Sequence, residues 1–286
     1  MKPTSCFLSL ALLLACCTLA QAEPIELRFK PKVGLETKHR MMISGRLAVT
    51  TGTDKSPHRA GEATGRIEFT RKVVSETEDQ TVVETRQTKG EFVATEEGEE
   101  GTIKLSALKE LTTYDRRRAP RETGPPVMAD PPETDEDGFG CTIVGQMHVG
   151  CGMWTGLLDM LELPSGPVAV GSTWEKTQGE NPRTVVNYRL QEVTQRAGRR
   201  CAKIRVTWQH EYSLSDMMQR SQSTGHPEMD RFMIYQVGDA GDVTWYYDVE
   251  NSVDVHLEGV VRLTSEQPGL GSTWALVENV KLVFLE

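Results

Sequence analysis

Hydrophobic and polar side chains alternate with a period of two along much of the chain, most clearly near its carboxyl end. Apolar side chains occupy Trp245, Tyr247, Val249, Val253, Val255, Leu257, Val261 and Leu263. Polar side chains occupy Asp248, Glu250, Asp254, His256, Glu258 and Arg262. This alternation is typical of strands with one buried and one solvated face, so we expect the polar set to face water. Residues 250–252 interrupt the pattern and predict a hairpin turn, in which Asn251 can adopt a positive φ.

A second hairpin is indicated on either side of Gly198, which marks its turn. The alternating apolar positions around it are Val186, Tyr188, Leu190, Ala202, Ile204, Val206, Trp208 and Tyr212. Cys201 falls in the polar register of the returning strand, which predicts an exposed thiol.

Shorter alternating stretches lie earlier, at residues 25–29, 41–49 and 67–73, and the last of them ends at the polar turn 75–80. Long strands joined by tight polar turns are typical of antiparallel sheets with one solvated face. The sequence therefore predicts a mainly β fold. We expect an antiparallel meander that forms a curved sheet, a sandwich or a half-barrel, with one or two short helices.

Helical periodicity is scarce. The best candidate is a short helix near 152–162, where Met153, Leu157, Leu158 and Leu161 share one face before Pro164 ends it. Residues 215–233 are interpreted as a partly helical loop.

A proline-rich and acid-rich stretch at 119–140 has no periodicity and is interpreted as a linker or long loop. It separates an amino-terminal β region, 23–118, from a carboxy-terminal β region, 141–286. The alternative is that residues 23–286 form one domain. The sequence leaves open whether the two regions build one sheet or two.

The tetrapeptide GSTW occurs twice, at 171–174 and 271–274. In each copy the glycine suits a tight turn, the hydroxyls can hydrogen-bond locally, and the tryptophan begins an apolar register. Neither copy brings an acid, a base or a metal ligand, so the repeat is interpreted as an entry into a strand.

The first 22 residues combine Lys2, an apolar run and a small-residue site at Ala20 and Ala22, which predicts a signal peptide cleaved after Ala22. The apolar run is shorter than the roughly 20 residues that a membrane-spanning helix needs. We therefore expect an exported protein, periplasmic or extracellular, with no transmembrane span. The alternative is a lipoprotein, because residues 13–16 (LLAC) resemble a lipobox in which Cys16 carries the lipid and anchors the chain to the membrane.

The formal net charge is −9 at pH 7, and the longest basic run is the RRR at 116–118. Affinity for nucleic acid comes mostly from neutralising phosphates, so this acidic chain is not expected to bind nucleic acid.

The cysteines that remain after cleavage are Cys141, Cys151 and Cys201. A disulfide between Cys141 and Cys151 is the tentative prediction for an exported chain, and three reduced thiols are the alternative. His148 lies near the same pair, but a structural zinc site normally needs four ligands, so no metal or cofactor is predicted.

The motifs of serine hydrolases, zinc metalloproteases, P-loop proteins and dinucleotide-binding folds do not occur in the sequence. We therefore expect a protein that is not an enzyme and assign no catalytic residue. A thiol-dependent or metal-dependent enzyme that uses His148 with Cys141 or Cys151 is the least favoured alternative.

Large adaptable apolar side chains supply the candidate ligand-binding residues. They are Trp154, Trp208, Met217, Met218, Met229 and Met233. Methionines of this kind could cover an apolar cavity in a curved sheet, or they could simply fill gaps under a loop.

Three segments of the chain contain a set of turn and core residues: Pro167, Val168, Gly171 and Trp174, then Gly198, Arg199, Cys201, Ala202 and Ile204, then Trp245, Tyr246, Asp248, Glu250 and Asn251. In these residues the chain resembles a family of uncharacterised bacterial exported β-rich proteins. The resemblance implies a location in the bacterial envelope and an antiparallel β fold, and it brings no catalytic residue with it. The architecture is also similar to that of periplasmic lipoprotein carriers.

The sequence thus predicts an exported, non-catalytic protein of the cell envelope with a binding or scaffolding role. Its partner would be an envelope protein or an apolar small molecule. The alternative is a carrier that holds a lipid or another apolar ligand in its curved sheet.

Overall fold

The computed structural model describes residues 23–51, 59–96, 99–105, 107–123, 127–128, 133–134, 157–178, 184–213, 236–267 and 272–285. About three quarters of these residues belong to strands, and a single helical turn lies at 157–160. The strands are β1 (Glu36–Thr51), β2 (Arg59–Glu76), β3 (Gln80–Glu96), β4 (Glu99–Leu105), β5 (Leu108–Asp115), β6 (Pro120–Thr123), β7 (Val127–Met128), β8 (Glu133–Thr134), β9 (Thr173–Gln178), β10 (Thr184–Arg196), β11 (Arg199–Ser213), β12 (Gln236–Asp248), β13 (Val253–Gln267) and β14 (Ser272–Leu285).

All of these strands belong to one antiparallel sheet that is curved and does not close on itself. Its main path runs β6-β5-β3-β2-β1-β14-β13-β12-β11-β10-β9, with β4, β7 and β8 paired beside it. The first and last long strands pair at the centre, from Lys38 opposite Leu285 to Thr51 opposite Ser272. The predicted antiparallel meander with a curved sheet is confirmed.

Two tight turns close the hairpins formed by β10 with β11 and by β12 with β13. Between β10 and β11, Ala197 and Gly198 both have positive φ, at 49° and 69°, as a two-residue turn that matches the strand twist requires. The turn between β12 and β13 lies where the sequence predicts it, but the positive φ is at Ser252 and not at Asn251. Asn251 instead donates its side-chain N–H to Asp248 Oδ2 at 2.8 Å.

A β-bulge at the start of β13 reverses which face of the sheet the side chains on either side of it point to. Tyr246 lies opposite His256 while Tyr247 lies opposite Asp254, so Val255 is an extra residue on its strand. One extra residue inverts the alternation, and Asp254 therefore points to the same face as Tyr247.

The predicted solvent-facing position of three polar side chains is wrong. Asp248, Asp254 and His256 are buried, with 1%, 3% and 3% of their surfaces exposed. The bulge accounts for Asp254, and Asp248 is held by hydrogen bonds from the turn that follows it. Glu250 and Glu258 are exposed, as predicted.

A second small apolar cluster explains why the outer face is not uniformly polar. It consists of Cys201, Tyr246, Val253 and Val255, with Leu35 packed against it. Cys201 is fully buried and its thiol is free, so the predicted exposed thiol is wrong. Burial raises the pKa of Cys201 to about 11, and the nearby Asp248 carboxylate acts in the same direction.

Two irregular segments cover the inner face of the sheet, which we call the covered face. The amino-terminal segment, 23–35, contributes Leu27 and Phe29 to the main core, and the 157–170 segment contributes leucines from its helical turn onwards. The predicted strand at 25–29 is instead an irregular crossing, joined to the second segment by the single bridge between Ile25 and Val168. Leu27 and Phe29 are nevertheless buried, as their alternation indicates.

Of the helix predicted near 152–162, the described residues show the turn 157–160 and no helix at 161–162, while residues 152–156 lie outside the described part of the chain. In the ranges that the structure covers, no helix is both long and apolar enough to cross a lipid bilayer.

The first GSTW copy forms a turn that leads directly into a strand, which confirms its interpretation. Gly171 has a φ of 93°, and β9 begins two residues later. Trp174 stacks on Tyr188 with the ring centres 5.4 Å apart and donates its indole N–H to the Glu162 carbonyl at 2.9 Å. In the second copy, β14 begins at Ser272, while Gly271 lies outside the described residues.

Two aromatic rings on the covered face lie directly over glycines of the neighbouring strand. Phe92 lies opposite Gly65, and Trp208 lies opposite Gly241. A Cβ atom added at Gly65 or at Gly241 would lie 2.1 Å from the nearest ring atom of that partner. These glycines are therefore required by close packing of the rings.

Replacing Gly241 with alanine is expected to lower the free energy of unfolding by about 1–3 kcal/mol, because the methyl group would displace the Trp208 ring. Gly166→Ala is the matched control, since its Cβ would meet no atom within 4 Å. Urea unfolding of both variants measures the difference. Equal stability of the two variants would contradict the packing described for Trp208.

Candidate functional site

A cluster of buried charged side chains lies where the two covering segments meet the sheet. Arg71 Nη1 and Arg118 Nη2 each donate to the same atom, Asp254 Oδ2, at 2.7 Å. Trp245 Nε1 donates to the other carboxylate oxygen at 2.9 Å. Arg118 is completely buried, and Arg71 is 8% exposed. We call these four residues the arginine cluster.

The three charged members of the arginine cluster reach the core in three different ways. Arg71 follows Phe69 in the buried register of β2, while the bulge in β13 turns Asp254 inward. Arg118 has a φ of 63° in the turn after β5, where the Asp115 carboxylate accepts the backbone N–H groups of Arg117 and Ala119 at 2.9 Å. A positive φ is costly for arginine, so tertiary contacts must hold this turn.

Aromatic rings complete the surroundings of the two guanidinium groups. The ring centre of Tyr114 is 5.5 Å from the Arg71 guanidinium carbon and 5.7 Å from that of Arg118. Trp245 is 5.5 Å from the Arg118 guanidinium carbon. The negative faces of these rings stabilise buried cations. Tyr114 also donates its hydroxyl to Asp159 at 3.0 Å, which links the cluster to the 157–170 segment.

The ionisation states follow from this packing. Burial alone would raise the pKa of Asp254, but the Arg118 and Arg71 charges outweigh burial and hold that pKa below its ordinary value. Burial and the Arg71 charge lower the pKa of His39 to about 3, so its imidazole is neutral. His39 Nε2 lies 2.8 Å from Thr37 Oγ1, and its ring stacks on Phe69.

The basic run at 116–118 is engaged in contacts within the chain. Arg116 donates to the Phe29 carbonyl at 3.3 Å and to Glu76 Oε1 at 3.1 Å, and Arg117 forms an ion pair with Glu162. Arg118 donates to the Leu161 carbonyl at 2.9 Å as well as to Asp254. The three consecutive arginines therefore hold both covering segments against the sheet.

A small cavity adjoins the arginine cluster between the amino-terminal segment and the sheet. It leaves about 20 Å³ for its contents, which is room for one water molecule. Arg71 Nη2 and His39 Nδ1 are buried beside it and have no hydrogen-bond partner among the described residues. The cavity is too small for an organic ligand. The hydrogen bonds of Arg118 join the sheet to the 157–170 segment.

A continuous row of buried residues crosses the covered face farther along the strands. The members lie opposite one another in register, and we call them the Glu278 row: Ala94, Ala63, Gly45, Glu278, Val261, Gly241, Trp208 and Val186. All of them are buried. The three members on β1, β2 and β3 have side chains no larger than a methyl group.

Glu278 is the ionisable member of this row. It is 4% exposed, and none of the described residues forms a hydrogen bond or ion pair with its carboxyl. Burial raises the pKa of Glu278 to about 7. A buried carboxyl without a partner costs several kcal/mol when it is charged, roughly as much as other uncompensated buried charges.

An open cleft lies at the outer end of the amino-terminal segment. Its volume is about 770 Å³, which is within the range of small-molecule sites. Apolar side chains that include Val168, Val170 and Val249 line it, and acidic residues stand at its rim. One of these acids, Glu192, is already paired with Lys203 at 2.9 Å.

The structure describes one of the side chains predicted to bind a ligand. Trp208 is a member of the Glu278 row, where it covers Gly241 and donates its indole N–H to Asp239 at 2.9 Å. The other candidates lie outside the described residues: Trp154, Met217, Met218, Met229 and Met233. The same holds for Cys16, Cys141, Cys151 and His148. Across the described ranges, no group of three or more His, Cys, Asp or Glu side chains could hold a metal ion.

Sequence reasoning missed both the arginine cluster and Glu278. Arg71 and Glu278 were recognisable, because each occupies an apolar register, next to Phe69 in β2 and next to Val280 in β14. Arg118 and Asp254 had no such signal, since a turn and a bulge decide their direction.

Replacing Asp254 with alanine is expected to destabilise the protein by about 3–5 kcal/mol, because it leaves two buried guanidinium groups without their shared carboxylate. Asp242→Ala is the matched control. It removes an exposed ion pair with Arg205 and should cost less than about 1 kcal/mol. Denaturant unfolding at pH 7 compares them, and a small effect at Asp254 would contradict the structural role of the cluster.

Glu278 is expected to make stability depend on pH. Its pKa rises from 4.5 in the unfolded chain to about 7 in the folded protein, so the folded state holds the proton more tightly. The resulting stabilisation is complete below about pH 4.5 and is lost as the pH rises to about 7, a decrease of roughly 3 kcal/mol.

Unfolding free energies of the wild type and Glu278→Gln, measured from pH 4.5 to 8, isolate this effect, because the opposite contribution of neutral His39 cancels in the difference. Glu62→Gln, on the exposed face, should keep the wild-type pH dependence. If Glu278→Gln keeps the wild-type pH dependence of stability, another group is responsible for that dependence.

Comparison of the chain with protein-family models, curated proteins and solved structures found no match. The resemblance to exported bacterial β-rich proteins stays a prediction from the sequence. What the protein does must therefore be inferred from its own residues and their geometry.

Proposed function

We propose that the protein is an exported, non-catalytic binding protein of the cell envelope, and that it carries an apolar ligand on the covered face of its sheet. The observation that carries this proposal is the Glu278 row. It crosses eight neighbouring strands as a buried and almost entirely apolar surface. Small-molecule sites are typically concave and mostly apolar, with few polar groups.

The side-chain sizes along the row favour a ligand over β1, β2 and β3. The consecutive positions across these strands are Gly45, Ala63 and Ala94. Their small side chains project little from the sheet. On the other side of Glu278, the Trp208 ring fills the space over Gly241. An apolar chain lying against the small residues would be bounded by Phe92 on the adjacent position of β3.

The engagement of the buried polar groups supports a non-catalytic role. Arg71 and Arg118 both donate to Asp254, and Arg118 also donates to the Leu161 carbonyl of the 157–170 segment. Arg71 Nη2 and Arg118 Nε are buried without a hydrogen-bond partner among the described residues. The cavity beside them has room only for water. The hydrogen bonds described at this end of the sheet therefore support a structural role for the arginine cluster.

The open cleft gives the scaffolding alternative a surface of its own. Val170 in this cleft is 45% exposed and offers an apolar contact. A peptide from an envelope protein could bury Val170 without disturbing the covered face. Crosslinking in intact cells to a protein partner, together with an empty covered face, would favour scaffolding over the carrier function.

The carrier function predicts that protein purified from exporting cells holds an apolar molecule in native mass spectra, and that the delipidated protein binds the neutral probe N-phenylnaphthylamine. Ala63→Leu places a large side chain among the small residues of the row. It should abolish both signals while leaving the midpoint of urea unfolding close to that of the wild type. Thr64→Leu is the control, because Thr64 lies on the exposed face.

Two results would overturn the proposal. One is a wild-type protein that neither copurifies with an apolar molecule nor binds the probe. The other is an Ala63→Leu protein that is destabilised by about 1–3 kcal/mol and binds as before, since this is the behaviour of a close-packed core position.

A further inference from the structure

The buried carboxyl of Glu278 lies in the middle of the surface to which the carrier function assigns the ligand. Its neighbours across the sheet are Gly45 on one side and Val261 on the other, and neither has a polar side chain. The hydrogen bonds and ion pairs of the described residues include none to this carboxyl. Since Glu278 lies on the covered face, a partner for its carboxyl would approach from above the sheet.

We infer that Glu278 recognises the head group of the ligand, and that the ligand is an amphiphile with an apolar chain and a cationic amine. This inference rests on the proposed carrier function and names its ligand class. An ammonium group would supply the hydrogen-bond donors and the positive charge that the buried carboxylate lacks. The amphiphile's chain would then lie over Ala63 and Ala94.

Charge complementarity selects this class over the common anionic amphiphiles. A ligand carboxylate or phosphate beside Glu278 would bring two like charges together at a buried position, which is unfavourable. The chain as a whole is also acidic, with a formal net charge of −9 at pH 7. Anionic lipids are therefore expected to be excluded.

Asp239 is the other acid on this part of the covered face whose side chain the structure describes. It lies two residues from Gly241 on β12, and it already accepts a hydrogen bond from Trp208 Nε1 at 2.9 Å. Because the Asp239 carboxylate is engaged in this way, Glu278 is the acid that we assign to the ligand.

The test is displacement of N-phenylnaphthylamine at pH 8 by dodecylamine, dodecanol and dodecanoate, each below the concentration at which it forms micelles. The wild type should bind dodecylamine about tenfold or more tightly than dodecanoate, the ratio expected for one charge-assisted hydrogen-bonded pair. Glu278→Gln should bring this ratio close to one, and Glu278→Asp should restore part of it. Glu62→Gln removes a carboxylate from the exposed face and should keep the wild-type ratio.

The possible outcomes separate the two proposals. If the wild type does not bind the probe, the carrier function itself fails. If the probe binds and the three amphiphiles displace it equally well, the carrier function stands and the assignment of an amine head group is wrong. If Glu278→Gln keeps the preference for dodecylamine, a different acid recognises the head group. Near-ultraviolet circular dichroism of each variant verifies that it is folded.

Discussion

One carboxylate shared by two buried guanidinium groups determines how this sheet is shaped and covered. Arg71 is on β2 and Asp254 is on β13, so β1 and β14 lie between them in the sheet. Three strand spacings amount to about 14 Å, and side chains stand roughly perpendicular to a flat sheet. The 2.7 Å contact between the two groups thus bridges four adjacent strands of the curved sheet. Arg118 enters the same ion pair from outside the strands and brings the 157–170 segment with it.

The two buried charged sites illustrate opposite solutions to one energetic problem. Removing a charge from water is costly unless other groups replace the lost hydrogen bonds. In the arginine cluster, Asp254 receives three hydrogen bonds and two opposing charges, and its pKa stays low. Glu278 receives no such compensation from the described residues, and its pKa rises. The first arrangement is typical of a structural core, whereas local violations of good packing are typical of functional sites.

The sequence was sufficient to predict the strands, because period-two alternation results directly from pleating. It was not sufficient to assign the faces. One extra residue at Val255 inverts the alternation, and nothing in the local sequence distinguishes this bulge from regular pairing. Arg118 is buried because of contacts that its own turn does not encode. Glu278 could have been found, since it interrupts an apolar register in β14, and a charged residue in such a register is a reason to look for a partner.

The fold also constrains how a ligand could reach the Glu278 row. At the end of the sheet where β1 begins and β14 ends, the amino-terminal segment and the 157–170 segment are fastened by Arg116, Arg117 and Arg118. Opening that end would break a buried ion pair, which is far more costly than parting apolar surfaces. A ligand of the kind proposed above would therefore leave the arginine cluster intact only if it entered away from this end of the sheet.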